Sequence, residues 1–159
     1  MTTLFYKAFS AITSSLLKLI FSLIVLYCTS SLASEKSAGL QLTFTGLVPN
    51  SGYIMGSFYH LEEDFKTGKN GFSQIREPVL SDTLAITVSD LPDAPIIFVS
   101  YQDLNDNQAL DTNLFGVPTE PYAFSNNAKG RFGPPKFSDM LFTPSMTNEM
   151  TIHYSHTSD

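Results

Sequence analysis

Short runs in which apolar residues recur at every second position, each closed by a turn, constrain this chain more than any other feature. In Leu40-Gln41-Leu42-Thr43-Phe44-Thr45 the apolar side chains fall on one face of an extended strand. Thr83-Leu84-Ala85-Ile86-Thr87-Val88 repeats the pattern, and Glu149-Met150-Thr151-Ile152-His153-Tyr154 places Met150, Ile152 and Tyr154 together. Two further runs, Tyr53–Tyr59 and Ile96–Tyr101, are apolar on both faces and read as central strands. Pro49-Asn50-Ser51-Gly52, Asn70-Gly71 and Leu91-Pro92-Asp93-Ala94-Pro95 supply turns. Weaker strand signals cover Phe72–Leu80 and Phe137–Phe142, and no segment carries a helical period. About seven short strands separated by turn residues predict an all-β antiparallel β-sandwich, immunoglobulin-like or prealbumin-like. A small barrel is the alternative. The 13 Phe and 7 Tyr read as core, because aromatic rings pack well on pleated faces.

The first 33 residues follow another rule. Lys7 and Lys18 precede the apolar run Leu19–Cys28, with no acid among them, and Ser31 and Ala33 place small residues where a leader is cleaved. Residues 1–33 are therefore expected to be a signal peptide, and residues 34–159 a single exported domain, periplasmic or extracellular. The ten-residue run is too short for the ~20 residues of a spanning helix, so no transmembrane segment is expected after processing. Cleavage removes the one cysteine and two of the 9 Lys and Arg, leaving seven bases against 15 acids. Disulfides and thiol chemistry are thereby excluded from the processed domain. A nucleic-acid partner is not expected, because phosphate neutralisation needs clustered bases that the chain lacks.

Between Thr112 and Lys136 lie 25 residues rich in Pro and Gly that show no strand pattern. Structureless connections longer than ~12–15 residues are uncommon in compact domains, so something is expected to organise this long loop. Immediately before it, Asp103-Leu104-Asn105-Asp106-Asn107-Gln108-Ala109-Leu110-Asp111 puts side-chain oxygens at positions 1, 3, 5 and 9 of a loop spanning 103–113. Asp103, Asn105, Asn107 and Asp111, with the Ala109 carbonyl at position 7, form a hard-oxygen set suited to Ca2+ rather than zinc or copper. Gln108 at position 6 and Leu114 at position 12 depart from an EF-hand, leaving a ligand to come from elsewhere, with Glu120 as the candidate. The competing reading is an Asx-rich turn whose side chains bind their own backbone.

Four blocks, Tyr101–Asn113, Gly116–Glu120, Tyr122–Ala128 and Gly133–Asp139, occur in an order that resembles a bacterial family catalogued as domain of unknown function 2141. The resemblance is strong over Ala94–Tyr154 and looser over Gly39–Asp90. It implies an exported β-sandwich of the Gram-negative envelope with a D-x-N-x-N-G-x-x-D loop as its hallmark, and it implies no activity. Gln108 stands where that family carries Gly.

Enzymatic function is the minority expectation. His60, His153 and His156 lie in no recognised catalytic motif, and His60 beside Leu61-Glu62-Glu63-Asp64 reads as an acidic loop at a strand end. Three functional readings follow. The first is a calcium-stabilised binding or structural module of the envelope. The second is an ion-independent carbohydrate- or peptide-binding domain using Pro118–Asn127. The third is an envelope hydrolase built on carboxylates and His60.

Overall fold

The computed structural model describes residues 39–155, and the signal-peptide reading of residues 1–33 lies outside them, as does His156. The fold is all-β, as the alternating pattern requires. Among the described residues seven strands run in chain order: β1 (Leu40–Thr45), β2 (Tyr53–Tyr59), β3 (Phe72–Pro78), β4 (Thr83–Val88), β5 (Ile97–Asp103), β6 (Tyr122–Phe124) and β7 (Glu149–His153). They form a three-stranded sheet in the order β4-β1-β7 and a four-stranded sheet in the order β3-β2-β5-β6. No described helix is long and apolar enough to cross a membrane.

Strand pleating decides which side chains are buried. Leu40, Leu42 and Phe44 of β1 point the same way and join Ile54 and Phe58 of β2, Phe98 of β5 and Ile152 of β7 in one apolar cluster. Phe44 of the smaller sheet lies 6.0 Å from Phe98 of the larger, ring centre to ring centre, and Phe98 lies 4.7 Å from Phe58. Truncating such a buried ring costs about 3–5 kcal/mol, so this aromatic seam is a principal link between the two sheets. The polar groups inside it are all satisfied: Tyr154 donates its hydroxyl to Ser100 Oγ at 2.8 Å, and no buried side-chain polar atom lacks a partner among the described residues.

Three expectations are corrected. The pairing is not antiparallel throughout, because β7 lies parallel to β1, with Gln41 opposite Glu149 and Thr45 opposite His153. A parallel neighbour needs a long return connection, and here most of the domain's chain separates the two strands. Phe137–Phe142 is not a strand: Phe137–Met140 forms a helical turn, and only Phe142 pairs, with Ile96. The acidic stretch after His60 is a short helix, Glu62–Thr67, ended by Gly68 at φ 65°. Its first turn holds Glu62, Glu63 and Asp64, where the positive end of the helix dipole favours acids, and Phe65 rests edge-on to Tyr59 and Phe124. His60 stacks on Phe72 at 4.7 Å, and His153 Nδ1 meets Thr45 Oγ1 at 2.6 Å.

Candidate cation-binding loop

The loop begins at the last residue of β5. Asp103 is fully buried there, because Gly52 brings the β1–β2 turn against it so closely that a Cβ on Gly52 would stand 1.8 Å from the Asp103 carbonyl oxygen. Gly52 itself has φ 59°. The neighbouring Gln102 amide, also fully buried, fixes the same turn by accepting from Val48 N–H at 2.9 Å and donating to the Val48 and Ser51 carbonyls. The chain signalled this clamp in one way only: the inward positions of β5 pass from Phe98 to Ser100 and Gln102, becoming polar toward the loop.

From Asp103 onward the Asx side chains form one hydrogen-bonded net. Asp103 accepts the Asn107 N–H on Oδ1 at 3.2 Å and the Gln108 N–H on Oδ2 at 2.7 Å. Asn105 Oδ1 accepts the same Asn107 N–H at 3.1 Å, so oxygens from positions 1 and 3 converge on one hydrogen. Asn107 Oδ1 accepts the Ala109 N–H at 2.8 Å. Asp111 closes the net, taking the Asn105 amide on Oδ2 at 2.7 Å and the Asn107 amide on Oδ1 at 3.0 Å. Asp103, Asn105, Asn107, Ala109 and Asp111 are thus brought together, and the contacts are those of an Asx-rich turn that folds back on its own backbone.

Glu120 has a more exact role than a spare ligand. Only 4% exposed, it accepts the Leu104 N–H on Oε1 at 2.8 Å and the Asp111 N–H on Oε2 at 3.1 Å. One carboxylate therefore ties the two ends of the loop together. Between Asp111 and Glu120 the chain makes a small hairpin: Thr112 bridges Pro118, and Asn113 Oδ1 accepts the N–H groups of Phe115 and Val117.

The segment that follows the loop, 25 residues without a strand pattern, has local structure over much of its length. Beyond the hairpin it contributes β6 and a turn of 3-10 helix at Ser125–Asn127, where Asn126 and Asn127 take left-handed φ of 59° and 52°. Asn127 then serves as an extra strand partner, accepting the His153 N–H at 2.7 Å and donating to the Thr151 carbonyl at 2.9 Å. Asn126 donates to the Asp139 and Leu141 carbonyls, and buried Ser125 joins Phe98 N–H to the Met140 carbonyl.

The charge around the loop is one-sided. Burial raises the Tyr101 phenol above its ordinary value, and the Asp103, Glu120 and Asp111 carboxylates raise it further, which places all three in one neighbourhood. Asp106 is neutralised by Arg76 at 2.7 Å, but Asp103, Asp111 and Glu120 take part in no ion pair among the described residues. No group of three or more His, Cys, Asp and Glu side chains among those residues is placed to hold a metal. A cation here would draw on amide and backbone oxygens as well as carboxylates. The set fits one chemically, being all oxygen and carrying uncompensated negative charge. A half-turn of the Asn105 or Asn107 amide would bring its oxygen beside Asp111, at the cost of the Asn107 or Ala109 N–H that the oxygen now accepts.

The model of a family described as an uncharacterized protein conserved in bacteria (DUF2141) matches residues 42–152. Neither a curated protein nor a solved structure matches the chain.

Proposed function

The chain belongs to DUF2141, a family of uncharacterized proteins conserved in bacteria, and on that premise we propose that it is an exported β-sandwich module whose Asx loop is closed by calcium. The observation that carries the reading is the charge at the loop: three carboxylates, Asp103, Asp111 and Glu120, share one neighbourhood and meet no basic side chain among the described residues. Backbone and amide N–H groups meet the oxygens of all three, two of them buried, but no basic side chain among the described residues offsets their charge, and concentrated like charge is costly without an opposite one. Calcium supplies the missing charge. Asp103, Asn105, Asn107, Asp111 and the Ala109 carbonyl would hold it, and its contribution is structural, fixing the loop between β5 and β6. Export is supported by the leader pattern of residues 1–33.

The sandwich reading draws on the two sheets and their shared aromatic seam. Strand order favours the prealbumin-like form. Constant-type immunoglobulin sheets pair the first strand with the second, whereas here β1 lies between β4 and β7.

The test is thermal unfolding of chelator-treated protein with and without calcium. At the weak ~10⁻³ M affinity of extracellular modules, 10 mM calcium would stabilise the domain by about 1.4 kcal/mol, a rise of roughly 4–8 °C in Tm. Asp111→Ala should abolish the rise. A parent protein whose Tm does not respond to calcium contradicts the proposal.

A further inference from the structure

The outer face of the four-stranded sheet, turned away from the apolar core, carries an open groove of about 620 Å³, within the usual range for a small-ligand site. Its floor is Met55 and Ser57 of β2, Gln74 and Arg76 of β3, and Val99 and Tyr101 of β5. Tyr59 and Gly68, at the end of the short helix, line one part of it, and Gln108 of the Asx loop lines another. We infer that this groove is a binding site for a neutral oligosaccharide.

The chemistry of the lining selects that class. Ser57, Gln74, Tyr101 and Gln108 make no side-chain hydrogen bond to any other part of the protein among the described residues, so two amides and two hydroxyls offer free donors and acceptors to the groove. Tyr59 and Tyr101 add aromatic rings for the apolar C–H faces of sugar rings. Arg76 is the one charged lining residue among the described residues, and it is already committed to Asp106 at 2.7 Å and to the Tyr53 ring at 3.5 Å. Anionic ligands would find no unengaged base, and the protein's own acidic charge repels them. A peptide adding as a strand needs unpaired backbone groups, but β2 is paired on both sides, to β3 and β5, so the groove floor has none to give. Among the described residues no carboxylate, imidazole or thiol lines the groove, which suits retention of a glycan rather than its cleavage.

The floor of the groove is built from strand residues, and only Gln108 of its lining belongs to the Asx loop, so binding is expected in chelator as well as in calcium. The experiment is an array of neutral, anionic and peptide ligands probed with the purified protein in chelator and again in calcium, repeated with Tyr101→Ala and Gln74→Ala. The expected result is binding to at least one neutral glycan in chelator, weakened tenfold or more by each variant while Tm stays within a few degrees of the parent. Because Gln74 is exposed, its variant reports on the groove even if Tyr101→Ala fails to fold. Absence of any neutral glycan binder, binding confined to peptides or anionic glycans, or neutral glycan binding indifferent to Gln74→Ala would each overturn it. A protein that binds glycan yet ignores calcium would sink the loop reading alone.

Discussion

Gln108 holds a left-handed φ of 63°, a conformation that costs an ordinary L-residue about 1 kcal/mol and glycine almost nothing. The position is the sixth of the Asx loop, and the resemblance to the family had placed Gly there. Gln108→Gly is therefore expected to stabilise the domain by about 1 kcal/mol in denaturant unfolding. At Glu120 the expected change has the opposite sign. Glu120→Gln keeps the size but leaves one of the Leu104 and Asp111 N–H groups without its acceptor, a loss of about 2 kcal/mol. A cost near zero would mean that water reaches the site and replaces the carboxylate. Tyr154 supplies a pH test. Burial raises its phenol, so in the unfolded chain the group ionises first, near the ordinary value of ~10. The stabilising contribution is complete below that pH and is lost as pH climbs above it. The parent should lose stability above pH ~10 more steeply than Tyr154→Phe, whose side chain cannot ionise. Parallel pH profiles for the two proteins would contradict this role.

Among the elements, β1, β2 and β4 were legible residue by residue because each carries a period of two or a fully apolar run bounded by turn residues. β6 was not. Its three residues, with only Ala123 buried, lie among Pro and Gly that suppress any pattern, and the alternation of Tyr122 and Phe124 about Ala123 was the only sign. The Glu62–Thr67 helix escaped for a different reason: none of its residues is buried, so it shows no apolar stripe. The parallel β1–β7 pair was illegible in principle, since local pattern fixes strands but not which distant strand becomes a neighbour. That pair also depends on Asn127, whose amide completes the outer side of β7 at Thr151 and His153. Asn127→Ala is expected to destabilise the domain by about 1–2 kcal/mol and to speed exchange of the His153 amide hydrogen. Unchanged exchange there would show that β7 is held by β1 alone.

For the whole molecule, the residues of the candidate loop were readable because Asp and Asn at alternate positions are conspicuous. Their contacts were not, because an Asx net and a calcium loop use the same side chains and differ in which amide atom faces inward. Glu120 shows the limit well: its sequence marked it as a carboxylate near the loop, while its burial and its bridging of Leu104 to Asp111 come only from the fold. The Asx loop reaches the sheet-face groove through Gln108, so the conformation of the loop bears on one part of the groove's wall. The most direct measurement is a crystal structure grown with calcium in excess. One ion is expected at about 2.3–2.6 Å from oxygens of Asp103, Asn105, Asn107 and Asp111 and the Ala109 carbonyl, with both Asn amides turned to present oxygen. A loop in which the Asn105 and Asn107 nitrogens still rest on Asp111, with no ion between them, would contradict it.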